Sequence, residues 1–342
     1  MPTLYSIQYL RALAALAVVV FHAGERSGVH FQIGAAGVDV FFVVSGFIMV
    51  AISDNRPTSR PLSPSGFLWN RLLRIAPSYW LATLAMIIGA VIGLFPNLKL
   101  EFGHTLASFL FFPMPSPSTG DLWPVLVQGW TLNYEIFFYL VFALTLLAPS
   151  RLRLPLLATI FGLLVVAGGT MLQPEDRILA FYMAPVILEF VAGAALAKAW
   201  RNGYLPPAPV GMVMVVIGLA GFAAIQILKL DFDALTCGPL ALILVTGALS
   251  VETRGKLPNM PALAYLGDAS YSIYLWHTFA VSVVVKLGMS LHLPGAITLG
   301  LAFCAGTVIG IIAYEGIERP IQALIKGKRT ALWRLPNRRL AR

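Results

Sequence analysis

Ten apolar stretches follow one another from one end of the chain to the other, with no long polar break between them. A helix needs about 20 mostly apolar residues to cross a bilayer, and lipid tolerates only helices and closed barrels. Charged residues make up only 11% of the chain, against about 25% in an ordinary soluble domain. The sequence therefore predicts an all-α, polytopic transmembrane helix bundle of about ten spans. The predicted spans are approximately 7–24, 35–52, 75–95, 130–149, 154–172, 179–197, 209–228, 234–250, 266–288 and 294–316.

The basic residues between the predicted spans are distributed unevenly over the two sides of the membrane. With a cytoplasmic N-terminus, eighteen lysines and arginines fall on the cytoplasmic side, and only Arg26, Lys99, Arg177 and Lys229 fall outside. This asymmetry follows the positive-inside rule, so both termini are predicted to be cytoplasmic. The net charge of +9 then reflects cytoplasmic loops and gives no reason to expect a nucleic-acid partner. We expect one membrane domain over residues 1–320 and a basic cytoplasmic tail over 321–342.

Cysteine usage excludes two kinds of stabilising site. Cys237 and Cys304 both lie within apolar segments, and their spacing fits neither a disulfide framework nor a metal-ligand pattern. We therefore expect no metal site.

An ionisable side chain inside a membrane span is a candidate functional residue because burying it in lipid is costly. His22 lies near the outer end of span one, where an imidazole could serve as a general base. The alternative is an interfacial histidine that is hydrogen-bonded to a neighbour. Asp39 opens span two on the same side and is predicted to face His22, where it would fix the imidazole tautomer. A helix N-terminal carboxylate that is stabilised by the helix dipole is the alternative for Asp39.

Two arginines stand three residues apart at the predicted cytoplasmic start of span three. Arg71 and Arg74 share one face of a helix at this spacing, and paired guanidinium groups suit bidentate binding of phosphate. Taken alone, the pattern also fits simple anchoring at the cytoplasmic surface.

Two further spans carry polar groups that indicate a cavity. Glu135 lies near the outer end of span four, where a carboxylate needs a partner or a polar environment, and we favour a functional role for it. In span nine, Tyr271, Tyr274 and His277 are candidates for a cavity lining. Tyr271 carries less weight because tyrosine is common at membrane interfaces.

These residues occur in a recognisable order of motifs. The order is His22, then Gly-Val-Asp-Val-Phe-Phe-Val-Val-Ser-Gly-Phe over 37–47, Arg-Leu-Leu-Arg-Ile-Ala-Pro over 71–77, Trp-Thr-Leu-Asn-Tyr-Glu over 130–135 and Ser-Tyr-Ser-Ile-Tyr-Leu-Trp-His over 270–277. In this order the chain resembles, over nearly its whole length, the acyltransferase-3 family of bacterial membrane O-acyltransferases. Its opening Ile-Gln-Tyr-Leu-Arg-Ala-Leu-Ala-Ala-Leu over 7–16 is similar to the rhizobial acetyltransferases that decorate succinoglycan-type exopolysaccharides.

The resemblance implies a bacterial inner-membrane enzyme that moves an acyl group, usually acetyl from acetyl-CoA, to a sugar hydroxyl. The acceptor would be an exopolysaccharide or its lipid-linked precursor. By the same resemblance, His22 is the essential histidine, Arg71 and Arg74 engage the acyl donor, and Glu135 matches a family glutamate. Acetyl-CoA is then a substrate, no cofactor is bound permanently, and the surroundings are membrane lipid. Whether the protein forms a homo-oligomer is left open.

The topology and the resemblance together suggest a mechanism. The arginine pair would hold the phosphates of acetyl-CoA while the pantetheine arm threads the bundle towards His22. His22, oriented by Asp39, would either deprotonate the sugar hydroxyl or become transiently acylated, and Glu135 would position the acceptor or stabilise charge. The competing hypothesis is a transporter or flippase of lipid-linked glycans. It explains the spans and the buried polar groups, but not an arginine pair opposite a histidine.

Overall fold

A computed structural model describes residues 4–53, 62–172 and 175–332, and every regular element in these residues is a helix. The helices are numbered in chain order. They are α1 (Tyr5–Ser27), α2 (Gly37–Ser53), α3 (Pro64–Val91), α4 (Phe102–Phe109), α5 (Gly129–Thr145), α6 (Ser150–Met171), α7 (Arg177–Tyr182), α8 (Leu188–Arg201), α9 (Ala208–Leu228), α10 (Ala234–Thr253), α11 (Pro261–Ser290), α12 (Gly295–Ala313) and α13 (Arg319–Leu332).

The predicted all-α transmembrane bundle is confirmed. Among the described residues, nine helical segments are long and apolar enough to cross a membrane. The remaining predicted span, 130–149, corresponds to α5, whose 17 residues fall short of that length. The orientation of the termini remains a prediction. Several of the arginines that support it, including Arg56, Arg60 and Arg334, lie outside the described residues.

The two ends of α1 define two faces of the bundle. The N-terminal face is the one at which α1 begins, where the Tyr5 backbone N–H donates to the Glu252 carboxylate at 2.6 Å. The distal face is the one at which α1 ends, and there Gly28 caps the helix in the left-handed conformation, with φ of 77°. This conformation favours glycine because it has no Cβ. Gly24 packs against Leu299 of α12 near the same face.

The close crossing of α2 and α8 depends on two glycines. A Cβ at Gly46 would lie 1.9 Å from the Phe190 carbonyl oxygen, and one at Gly193 would lie 1.9 Å from the Val43 carbonyl oxygen. Small residues allow helix backbones to approach this closely in membranes, where van der Waals packing and not the hydrophobic effect joins helices. The crossing fixes which face of α2 turns towards α8.

The connection between α1 and α2 folds back along α1 before α2 begins. Gly34 packs against the Ala17 carbonyl, and Gly37 packs against the Ala14 carbonyl and the Val18 side chain. Helix α2 therefore starts level with the middle of α1 and not at its distal end.

Helix α3 begins earlier than the predicted span. The Ser63 hydroxyl accepts the Gly66 N–H at 3.1 Å, and Pro64 occupies the first turn. This is a common arrangement at helix starts. Hydropathy alone placed the start at residue 75 because the first turns are polar. As a result, Arg71 and Arg74 lie two turns inside α3 and not at its beginning.

The segment after α12 packs back onto α3. The helix passes through a π-helical turn over Tyr314–Glu318 and continues as α13. The Gln322 side chain donates to the backbone carbonyls of Leu73 and Arg74, at 3.2 and 3.0 Å. The contact ties the C-terminal helix to the part of α3 that carries the arginine pair.

Candidate active site

Both arginines of the predicted pair line one cavity that opens among α1, α2, α3, α5 and α11, here called the arginine cavity. Its volume is about 150 Å³. Its polar and charged lining residues are Arg11, Ser45, Arg71, Arg74, Thr131, Glu135, Tyr139, Ser270, Tyr271 and Tyr274. The structure thus brings together five of the predicted site residues, namely the arginine pair, Glu135, Tyr271 and Tyr274.

The two arginines of the pair differ in whether their guanidinium groups have partners in the protein. Arg74 approaches the buried Glu318 carboxylate at 3.9 Å, and Ser272 holds the other oxygen of that carboxylate at 2.6 Å. The Nε of Arg71 is buried and has no acceptor among the described residues. An unsatisfied buried donor is costly, so a ligand oxygen at Arg71 would remove that cost. Glu315, three residues before Glu318, pairs with Arg319 at 2.6 Å.

Arg11 is a third arginine of the cavity, and the sequence analysis overlooked it. It lies within the first predicted span, so it was left out of the count of loop charges. Eleven residues separate it from His22, which is close to three full helical turns, so both side chains leave the same face of α1. A charge inside a span, in register with a candidate base, was the signal that could have identified it.

Glu135 lines the arginine cavity and does not share the outer end of the bundle with His22, as its predicted position in span four implied. Its Oε1 accepts a hydrogen bond from Ser45 at 2.9 Å and another from the Tyr139 hydroxyl. These donors from α2 and α5 hold the carboxylate in the cavity wall. The expected polar environment of Glu135 is therefore present.

A hydrogen-bonded triangle closes the arginine cavity towards the distal face. The Tyr274 hydroxyl lies 3.0 Å from the Thr131 hydroxyl and 3.3 Å from the Gln128 carbonyl oxygen, and Thr131 bonds to the same carbonyl at 3.1 Å. The ring of Tyr274 lies next to that of His277, and the two ring centroids are 6.4 Å apart. Tyr274 therefore separates the cavity from the histidines.

His22 stacks on His277, one of the predicted lining residues. The ring centroids are 5.3 Å apart. His277 is fully buried, and its Nδ1 donates to the Ile273 carbonyl at 3.0 Å, which leaves Nε2 as an acceptor with no partner among the described residues. The His22 side chain is 22% exposed, and its Nδ1 lies 3.5 Å from the Glu25 carboxylate. His22 is thus both supported and accessible, as a general base or nucleophile requires.

Asp39 does not have the expected position beside His22. It faces Glu189 of α8, close to Cys237 of α10, and both carboxyl side chains are buried. Two features of the chain explain the difference. The fold-back before α2 starts this helix level with Ala14 and Val18, deeper than His22. In addition, two residues correspond to about 200° of rotation around a helix axis. Asp39 therefore lies on nearly the opposite side of α2 from Gly37, which faces α1.

A second cavity opens at the distal face, beside the histidine pair, and is here called the distal groove. Its volume is about 860 Å³, and it shares no lining residue with the arginine cavity. Arg26, one turn beyond His22, lines it, and the guanidinium of Arg26 donates to the Thr278 carbonyl and the Ser282 hydroxyl. Lys286 lines it as well. Like Arg11, Lys286 was overlooked because it lies inside a predicted span.

A histidine pair between a cationic cavity and a second, separate groove is the arrangement expected of one class of protein, namely multi-pass membrane enzymes that join two ligands. Comparisons with known proteins identify that class more closely. The model of the acyltransferase-3 family, described as an acyltransferase domain, matches residues 4–315.

Two relatives illustrate the range of similarity. Exopolysaccharide production protein ExoZ of Rhizobium meliloti (strain 1021) is 52% identical over 303 residues, which cover 89% of this chain and 94% of that protein. Peptidoglycan O-acetyltransferase OatA of Listeria monocytogenes is 24% identical over 93% of this chain and 55% of that protein. No solved structure matches the chain. The chain belongs to the acyltransferase-3 family and is a multi-pass membrane acyltransferase.

Proposed function

We propose that this protein is an O-acetyltransferase that moves an acetyl group from acetyl-CoA to a sugar hydroxyl of an exopolysaccharide or its lipid-linked precursor. The observation that carries the proposal is the order of groups along the bundle, in which the arginine cavity, Tyr274, the histidine pair and the distal groove follow one another. The names of ExoZ and OatA support an exopolysaccharide context and an O-acetyl product. The proposed location is the bacterial inner membrane, with the N-terminal face towards the cytoplasm.

The donor would approach from the N-terminal face. Arg71 and Arg74 would bind the phosphates of CoA with charge-assisted hydrogen bonds, and Arg11 adds a third cation to the cavity. His22 lies eleven residues beyond Arg11 on α1, a rise of roughly 17 Å. Because the phosphates and the thioester lie at opposite ends of an extended pantetheine arm, the donor could bridge this interval. Tyr274 would have to move to admit the arm, since it closes the cavity in this structure.

His22 would then perform the transfer in one of two ways. As a general base, it accepts the proton of the sugar hydroxyl as the oxygen attacks the thioester carbon, the C–S bond breaks, and the CoA thiolate then takes up that proton. As a nucleophile, His22 first forms an acyl-imidazole with loss of CoA, and the sugar hydroxyl then takes the acetyl group. Both routes yield the acetylated sugar and free CoA thiol.

Glu25 takes the orienting role that was expected of Asp39. It follows His22 by one helical turn, and its Oε2 lies 3.5 Å from the His22 Nδ1. A carboxylate at Nδ1 fixes the tautomer and stabilises the imidazolium that forms during transfer. Asp39 would contribute to the bundle through Glu189, at a distance from the reacting groups.

The test is transfer of radiolabelled acetyl from acetyl-CoA to a deacetylated exopolysaccharide oligosaccharide by purified protein in lipid nanodiscs. We expect labelled ester on the sugar with the wild-type protein. For His22→Ala we expect a loss of at least about a hundredfold, with unchanged thermal unfolding. His292→Ala is the matched control, because His292 lies on the loop after α11. Full activity of His22→Ala, or transport of glycan without acetyl transfer, would overturn the proposal.

A further inference from the structure

We propose that the distal groove binds the acceptor as a lipid-linked saccharide, with an anionic phosphate linkage at Arg26 and Lys286 and the lipid chain along the apolar rim. This inference rests on the proposed function and decides between its two acceptors. It assigns a site to the acceptor, whereas the arginine cavity is the site of the donor.

The charge of the groove points to an anion. Arg26 from α1 and Lys286 from α11 both line it, and none of its described lining residues is a carboxylate. Bonds to Thr278 and Ser282 hold the Arg26 guanidinium in place. An ammonium and a guanidinium on neighbouring helices suit a phosphate group through charge-assisted hydrogen bonds.

The rim of the groove points to a lipid chain on that anion. Exposed apolar side chains from α11 and from the loop after α3 form much of its wall, and in a membrane protein such surfaces meet lipid. These residues are Leu94 (60% exposed), Val283 (55%), Leu287 (56%) and Met289 (69%). A water-soluble polysaccharide segment has no lipid chain that could pack against this rim. A saccharide on a lipid anchor could lay its chain against this rim by van der Waals packing, as helices do in a bilayer.

The groove also offers groups that suit a sugar. Trp123, Gln128, Ser116 and Asn97 line it, and an indole face with amide and hydroxyl partners matches the mixed apolar and polar surface of a pyranose ring. Gln128 also accepts, through its backbone carbonyl, the Tyr274 hydroxyl that closes the arginine cavity. A sugar in the groove would therefore lie next to the boundary that the donor must cross.

The experiment compares three acceptors in nanodiscs. They are a glucosyl diphosphate joined to a farnesyl chain, the same sugar diphosphate without the chain, and a farnesyl glucoside without phosphate. Equilibrium binding of each radiolabelled compound is measured without acetyl-CoA, and acetyl transfer is measured separately. We expect the first compound to bind at least tenfold more tightly than either of the others. Equal binding of all three, or tightest binding of either partial compound, would overturn the inference.

Lys286→Gln tests the phosphate contact directly. We expect about a tenfold weaker affinity for the farnesyl diphosphate sugar, with no change for the phosphate-free glucoside and no change in the KM for acetyl-CoA. Lys229→Asn is the matched control, since it removes a distal-face charge outside the groove. Unchanged affinity in Lys286→Gln would contradict the site. Because binding is measured without the donor, a failure of the acetyl-transfer proposal would appear separately, as binding without transfer.

Discussion

The arginine cavity and the distal groove lie on opposite sides of the same tyrosine, yet they are built differently. The arginine cavity is small and is lined by three arginines and by buried groups without partners in the described part of the chain, such as the Arg71 Nε and the Ser270 hydroxyl. The distal groove is several times larger, has an exposed apolar rim and carries two cations. The comparison suggests that the first is made for a polyanionic water-soluble ligand and the second for an amphiphile.

The largest effect is expected when a donor-binding side chain is removed from the arginine cavity and the distal groove is left unchanged. Arg71→Ala should raise the KM for acetyl-CoA by about tenfold or more, because charge-assisted bonds to phosphate are among the stronger polar contacts. The affinity for the lipid-linked sugar should not change. Steady-state kinetics with each substrate varied in turn measures both quantities.

Arg74→Ala is the companion variant, and it should behave differently in one respect. It leaves the Glu318 carboxylate buried without its arginine, so we expect a lower melting temperature as well as a raised KM for acetyl-CoA. An unchanged KM in Arg71→Ala would mean that the arginine pair only anchors α3 and that the cavity is not the donor site.

The second comparison concerns the two carboxylates that could serve His22. Glu25→Gln should lower kcat by about tenfold, because the imidazole loses its charged partner at Nδ1. Asp39→Asn should keep kcat within about threefold, since the amide matches the carboxyl group in size and faces Glu189, far from the reacting groups. Single-turnover rates of acetyl transfer measure the difference. A larger loss in Asp39→Asn than in Glu25→Gln would restore the arrangement expected from the sequence.

The smallest effect is expected at the boundary between the two regions. Tyr274→Phe removes the hydroxyl that bonds to Thr131 and Gln128 but keeps the ring. We expect release of acetate from acetyl-CoA without acceptor to rise by a few fold, because water can then reach the thioester more easily. Acetate release is measured directly, and Tyr265→Phe is the control, because that hydroxyl bonds to Glu315, away from both cavities. Unchanged release would show that the hydroxyl does not seal the cavity.

The sequence predicted the helical class because apolar stretches of about 20 residues have one main interpretation in a chain with so few charges. The sequence also pointed to Arg71 and Arg74 as a cytoplasmic pair, to Glu135 near the outer end of its span and to Tyr271 and Tyr274 as a cavity lining, but not to the single cavity in which the structure places all five. The position of Asp39 could not be predicted in this way. It depends on a loop that folds back into the bundle and on a helix crossing at Gly46 and Gly193, and both are tertiary features.

Arg11 and Lys286 were missed for a simpler reason. Counting basic residues in loops to orient the chain set aside the two that fall within spans, although an intramembrane charge is itself a functional signal. One of these residues lines the arginine cavity and the other lines the distal groove. The start of α3 was placed too late because hydropathy does not register a serine cap followed by proline.

The central claim is that the bundle keeps donor and acceptor on opposite sides of the membrane. The most direct test supplies the donor to one side of the membrane at a time. Protein is reconstituted in one orientation into sealed vesicles that hold the lipid-linked saccharide in their membrane, and labelled acetyl-CoA is supplied on one side only. We predict labelled sugar when the donor meets the N-terminal face and none when it meets the distal face. Equal labelling from both sides, in vesicles shown to be impermeable to acetyl-CoA, would contradict the account.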